Sequence, residues 1–168
     1  CFADMYFHED MVARATEKSG LRSVLAQGIF EAGDWKRGEK LLDESIQFAK
    51  DFHGHANDRI RVMLGPHAAY SCSPELLAEI MENASKLGVG VHTHLAESGA
   101  MFREFERDFG SSEVEFLEKL GFLDVHVLAA HCINLSRKDM LILSNHNVNV
   151  VHAPVANMKL GLGAAKIK

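Results

Sequence analysis

Residues 59–95 read RIRVMLGPHAAYSCSPELLAEIMENASKLGVGVHTHL. They hold a strand, a helix and a second strand. Arg59–Leu64 alternates, with Ile60, Val62 and Leu64 on one side, which is the period of a β-strand. Ser73-Pro74-Glu75 has the form of a helix start. Ser caps the first turn, and Pro at the first helical position gives up no needed N–H. Gly88 closes that helix, and Val89–Leu95 is a strand again. Two strands joined by a helix are expected to run parallel, because parallel neighbours need a long crossover.

The same rhythm extends in both directions. Upstream, Cys1–Phe7 reads as a strand and His8–Ser19 as a helix closed by Gly20. Leu21–Phe30 is β-rich and runs into the Gly33-Asp34 loop. Glu39–Phe52 carries a helical stripe at Leu42, Ile46 and Ala49 and ends at Gly54. Downstream, Phe102–Phe109 and Val114–Leu120 read as helices, the second capped by Ser111 or Ser112. Val125–Cys132 is a strand, Ser136-Arg137-Lys138-Asp139 resembles a capping box opening a helix to about Ser144, and Val148–His152 is the last strand. Strands alternating with helices imply an α/β fold with a parallel sheet. Two architectures satisfy this, a doubly wound open sheet and part of a (β/α)8 barrel. Both place chemistry at the C-terminal ends of strands.

Bulk composition removes several function classes. The chain has 168 residues, 47% hydrophobic and 24% charged, enough apolar surface for a packed core. Net charge is -5, from 18 Lys+Arg against 23 Asp+Glu, with no basic cluster. Nucleic acid is therefore not an expected partner, because phosphate neutralisation needs clustered Lys and Arg. No long apolar span is present, so no membrane partner is expected. The N-terminus, Cys1-Phe2-Ala3-Asp4-Met5, does not read as a signal peptide. Cys1, Cys72 and Cys132 are odd in number and form no CxxC, which suits a reducing, cytoplasmic setting.

Ten histidines invite a search for metal ligands. His67 follows one strand, His92 and His94 end the next, His131 ends another, and His152 ends the last. Glu97 lies three residues beyond His94. Successive strands would thus deliver metal-competent side chains to one rim. His92 shares a strand face with His94 and is read as a buried, satisfied histidine one layer deeper. His8, His53, His55, His126 and His146 are read as solvated or structural, and Cys72 and Cys132 as packing residues.

Four segments carry a resemblance. Gly65-Pro66-His67 through Ser73-Pro74-Glu75, His92-Thr93-His94-Leu95-Ala96-Glu97-Ser98, Ala129-Ala130-His131-Cys132, and His152-Ala153-Pro154 through Leu160-Gly161 resemble the amidohydrolase superfamily. More narrowly, they resemble its methylthioadenosine/S-adenosylhomocysteine deaminases, as does Cys1-Phe2-Ala3-Asp4-Met5-Tyr6. The resemblance implies a partial (β/α)8 TIM barrel of the metal-dependent hydrolase type, about strands two to seven of eight. Residues 1–168 would then be the central part of a single barrel, incomplete at both ends.

It also implies roles. His94 matches the fifth-strand metal ligand, for zinc at one ion per subunit, with iron as the alternative. Glu97 matches the carboxylate that shuttles protons to the substrate ring nitrogen. His131 matches the sixth-strand histidine that holds or deprotonates the hydrolytic water. His67 matches a substrate-contacting histidine. Arg37, and also Arg22, stand where relatives place arginines for the carboxylate tail of S-adenosylhomocysteine. The implied activity is hydrolytic deamination of adenosine-type purines with ammonia release, by an enzyme that can form homo-oligomers. Guanine deaminases and triazine hydrolases are the alternatives within the superfamily, and a non-catalytic α/β binding module is the alternative outside it. The first-strand His-x-His pair and the eighth-strand Asp of the family are absent, and Ala153 and Ala156 replace its usual Asn and Ser.

Overall fold

The strands pair in parallel in two sheets, one of the first four strands and one of the last three, and this chain-order pairing sets the architecture. A computed structural model describes residues 1–166. The elements run β1 (Phe2–Tyr6), α1 (Glu9–Ser19), β2 (Ser23–Ile29), α2 (Trp35–Phe52), a short turn α3 (His55–Asp58), β3 (Ile60–Val62), β4 (Gly65–Pro66) and α4 (Pro74–Leu87). They continue through β5 (Val91–Leu95), α5 (Gly99–Phe109), α6 (Glu113–Lys119), a 3-10 turn at Phe122–Asp124, β6 (Val127–His131), α7 (Arg137–Asn145), β7 (Asn149–Val151) and α8 (Pro154–Lys159).

The pairing follows chain order. β1 aligns with β2 from Phe2↔Ser23 to Tyr6↔Gln27. β3 and β4 both pair with β2, so they are one strand interrupted after Val62. β5 pairs with β6, and β6 with β7. Leu64 bridges to Val91, with Leu64 N–H donating to the Gly90 carbonyl and His92 N–H to the Leu64 carbonyl, which joins the two sheets. An order that never reverses winds one way, as a barrel does. A doubly wound sheet reverses at a switch point, so that alternative is set aside. The outward faces of the strands pack under the helices, where Leu25, Ile29, Ile60, Leu76, Ile80 and Leu117 are fully buried.

Helix starts follow local chemistry. Ser73, Ser98, Ser112 and Ser136 each accept a backbone N–H from the first turn of α4, α5, α6 and α7. Gly20 and Gly88 take left-handed φ of 76° and 67° at the ends of α1 and α4, as their positions in the sequence imply. Two boundaries differ from the sequence reading. α2 begins at Trp35, not Glu39, because Asp34 caps it by accepting from Arg37 N–H. Gly38 hides this start in the sequence, yet it is there for packing: a Cβ would stand 3.0 Å from Leu76 Cδ2. α5 likewise starts at Gly99 rather than Phe102.

Glu9 is the costly position in this packing. It is fully buried, and neither carboxyl oxygen has a partner. Burial, and then the Asp4 carboxylate, push its pKa from 4.5 up to about 7. Between those values the folded state keeps a proton that the unfolded chain releases, so stability falls as pH rises across that window. Glu9→Gln is expected to raise stability at pH 8 by about 1–2 kcal/mol and to be neutral near pH 4.5. Urea unfolding at both pH values checks this, and a loss of stability at both would contradict it. Among the described residues, no helix is long and apolar enough to cross a membrane.

Candidate active site

Three histidines reach one rim because β4, β5 and β6 end at the same level. Side chains alternate along β5, so His94 faces the barrel interior with His92 below it. His67 and His94 have ring centroids 4.9 Å apart, and His94 and His131 stack at 5.4 Å. Glu97 follows β5, and its Oε1 lies 3.5 Å from His131 Nε2. Each of the three imidazoles is fixed through Nδ1. His67 Nδ1–H donates to Ser71 Oγ at 2.9 Å, since the Ser71 hydroxyl is itself spent on the Ala68 carbonyl. His94 Nδ1–H donates to the His67 carbonyl at 2.8 Å. His131 Nδ1–H donates to Asn157 Oδ1 at 2.8 Å. All three therefore present Nε2 as a bare lone pair, the form that ligates a metal or accepts a proton.

For His67 and His94 the electrostatics agree with neutral rings. Burial lowers the pKa of His67, with His94 adding to the effect. Burial also lowers that of His94, against the His67 carbonyl, which favours charge. His92 is pushed furthest, to about 4, by burial and the neighbouring histidines. The backbone here is strained. Ala96, His131 and Cys132 have φ of 50°, 75° and 50°, a region that non-glycine residues occupy at a cost of about 1–3 kcal/mol each. Such strain gathers at sites where a side chain must be aimed.

A cavity of about 380 Å³ opens beside these groups, lined by Met5, Tyr6, Phe7, Phe30, His67, Ser71 and His94. Its wall is aromatic: Phe7 meets Phe30 edge-on at 6.0 Å, and Phe30 meets His67 at 6.4 Å. A flat heterocycle with an apolar appendage suits such a wall.

The structure brings together His67, His94, Glu97 and His131. Arg37 sits in the first turn of α2 rather than in a loop, with its guanidinium 5.9 Å from the Phe30 ring at the cavity edge. Arg22 is a correction. It precedes β2, donates to the Asp58 carbonyl, and lines a cavity with Cys1 and Phe2 at the opposite end of the strands. A residue before a strand faces the wrong rim for this chemistry. His92 is a second correction. It is buried, but its Nδ1 has no partner, so it is not the satisfied histidine expected. Sequence reasoning missed Ser71 and Asn157 as partners of the imidazoles. Asn157 is fully buried and also approaches His152 Nδ1 at 3.5 Å. The only signal for either is a polar residue near a strand-end histidine, which is too common to single one out.

His94 meets the needs of a metal ligand: a neutral ring, an oriented Nε2 and a carbonyl behind it. His131 and Glu97 lie beside it. Yet no group of three His, Cys, Asp or Glu among the described residues is gathered closely enough to hold an ion by itself. A catalytic zinc takes three protein ligands and an open position. Among the described residues, His94 could therefore supply only part of such a donor set.

Comparisons with known proteins show the family of this chain. The sequence profile of the amidohydrolase family matches residues 1–168, and the chain belongs to that family. It is 44% identical over 167 residues to the 5-methylthioadenosine/S-adenosylhomocysteine deaminase of Moorella thermoacetica, covering 99% of this chain and 39% of that protein. It is 43% identical over 166 residues to the 5'-deoxyadenosine deaminase of Methanosarcina acetivorans, covering 99% of this chain and 38% of that one. A zinc-bound adenosine deaminase from Xanthomonas campestris superposes with a TM-score of 0.80 at 22% identity, over 95% of this chain and 36% of its own. The chain thus spans well under half the length of these relatives.

Proposed function

We propose that residues 1–168 supply the central strands, about two to seven, of a (β/α)8 barrel that deaminates adenosine-type purines by hydrolysis, with S-adenosylhomocysteine or methylthioadenosine as substrate. The observation that carries this reading is the meeting of His67, His94, His131 and Glu97 from consecutive strand ends beside an aromatic cavity. The names of the relatives at 40–44% identity support the substrate class.

His94 would hold the metal, zinc or iron, together with ligands from outside the described residues. When bound, the metal supplies a water acidic enough to attack at neutral pH. The chain's own residues do the rest. Phe30 and Phe7 stack the purine, and His67 accepts a hydrogen bond from it. His131, its Nε2 bare, takes a proton from the attacking water and orients it. Glu97, entering as the acid, gives its proton to the ring nitrogen next to C6, which makes C6 electrophilic. It then takes up the proton that His131 removed from the water, across their 3.5 Å separation, and passes it to the departing amine. The proton of the new C6 hydroxyl returns to Glu97 as the carbonyl forms. Ring protonation is what a deaminase needs of a carboxylate here, and it favours this reading over other amidohydrolase chemistry. Arg37 stands at the cavity edge for an anionic tail.

Ammonia release from S-adenosylhomocysteine, methylthioadenosine, adenosine and guanine by a metal-loaded chain of full family length tests the proposal. Turnover of an adenosine-type purine is expected, and turnover of none of them would sink it. Residues 1–168 expressed alone are expected to hold no stoichiometric zinc, because the donor set is partial. Metal analysis after gel filtration checks this, and tight one-to-one zinc would refute it.

A further inference from the structure

Ala96 is the hinge on which Glu97 turns. Its φ of 50° costs free energy for a residue with a Cβ, so it persists only where its surroundings hold it. Both peptide units that flank its Cα are held. On one side, the Ala96 carbonyl accepts from the Ile133 and Asn134 backbone N–H groups at 3.1 and 3.0 Å. The Asn134 side-chain amide adds a bond to the Glu97 carbonyl at 3.2 Å. On the other side, the Ala96 N–H donates to a side chain distant in sequence, Glu113 Oε2, at 2.9 Å.

Glu113 is built into place. It is the first residue of α6, directly after the cap Ser112. The Ser112 hydroxyl accepts from Glu115 N–H and donates to the buried Asp139 carboxylate. Asp139 in turn accepts from Ser136 N–H at the start of α7. The starts of α6 and α7 are thereby locked together, and Glu113 leaves that lock pointing at the β5 turn. Glu113 is buried, 8% exposed, and its Oε1 has no partner. Burial pushes its pKa up to about 7, while the Ala96 and Ala69 backbone draw it the other way. Ala69 belongs to the loop that carries His67 and Ser71. A desolvated, half-satisfied carboxylate is a poor choice for stability alone, since an apolar side chain would fill the space without that cost. Glu115 already serves as the helix's capping acid, so capping does not explain Glu113 either.

We propose that Glu113 is a positioning residue: by holding the Ala96 N–H it keeps the strained turn that aims Glu97 at the substrate. The inference rests on the reading of Glu97 as the proton-transferring group. Loss of this hold lets Ala96 relax towards an ordinary conformation, which swings Glu97 away from the ring nitrogen and leaves the metal and the aromatic wall in place.

Two variants of the full-family-length protein test it, Glu113→Ala and Glu113→Gln, with hydrogen exchange and steady-state kinetics as readouts. In Glu113→Ala, exchange across Leu95–Ser98 is expected to rise at least about tenfold while the strands keep their protection. Its kcat is expected to fall about 100-fold, as for a misplaced catalytic group, with KM within about threefold and metal content unchanged. Glu113→Gln retains an oxygen that can accept the Ala96 N–H, and is expected to recover kcat to within about fivefold of the parent. Unchanged exchange at Leu95–Ser98 in Glu113→Ala overturns the proposal. So does a Gln variant as impaired as the Ala variant, or a loss spread over KM and the whole barrel. The exchange result needs no turnover. A parent protein that deaminates no purine overturns the reading of Glu97, and exchange still decides separately whether Glu113 holds the turn.

Discussion

Glu97→Gln, in a chain of full family length, is expected to lower kcat for purine deamination by about two to four orders of magnitude, the range that general acid–base catalysis contributes. The substitution keeps shape and hydrogen-bonding reach and removes only the transferable proton. Glu97 stands where such a proton is needed. It follows a left-handed turn at the end of β5, its side chain is 22% exposed, and Oε1 is 3.5 Å from His131 Nε2. The side chain is thus partly open to solvent while facing the imidazole to which the proposal assigns the water. Because binding is assigned to the aromatic wall and His67, KM is expected to change little. Metal content is expected to stay at the parent level, because Glu97 is not assigned as a ligand. A Gln variant that keeps more than about a tenth of the parent kcat would contradict the assignment.

His94→Ala is expected to abolish activity by a different route, with loss of the metal itself. His94 is the one imidazole at this rim whose Nδ1–H is spent on a backbone carbonyl, that of His67. Supporting groups behind a metal ligand are worth about 10–100-fold in affinity, and removal of the ligand itself is expected to exceed that. The same change frees the His67 carbonyl and loosens the loop that carries Ser71. The expected result is a purified variant with substoichiometric metal and background ammonia release, while the parent retains its ion. A His94→Ala protein that keeps stoichiometric metal and full kcat would remove His94 from the donor set.

Much of this arrangement is legible in the sequence because it is local. The alternation of Ile60, Val62 and Leu64 marks a strand whatever lies beside it, and Ser73-Pro74 and Ser136 mark helix starts through bonds made within one turn. The strand-end histidines are legible for the same reason, since their positions follow from where the strands stop. What depended on neighbours distant in the chain was not legible. Strand order separates a barrel arc from a doubly wound sheet, and it rests on pairings such as Leu64 with Val91. The start of α2 was obscured because Gly38 reads as a breaker, yet it serves a close approach to Leu76 from another helix. Arg22 was placed at the site by resemblance, and its position before β2 puts it at the opposite rim. Asn157 and Glu113 do their work across 26 and 17 residues, on His131 and Ala96, and no spacing in the sequence announces either.

The central claim is that His94 and its neighbours at the strand ends form one wall of a metal-dependent deaminase site. The most direct test is anomalous diffraction at the zinc edge from crystals of the metal-loaded, full-family-length protein with a purine product bound. The account predicts a single strong peak about 2.0–2.1 Å from His94 Nε2, with the Glu97 carboxylate against the purine ring nitrogen. A metal bound away from His94, or a purine bound outside the cavity of Phe30 and His67, would contradict it.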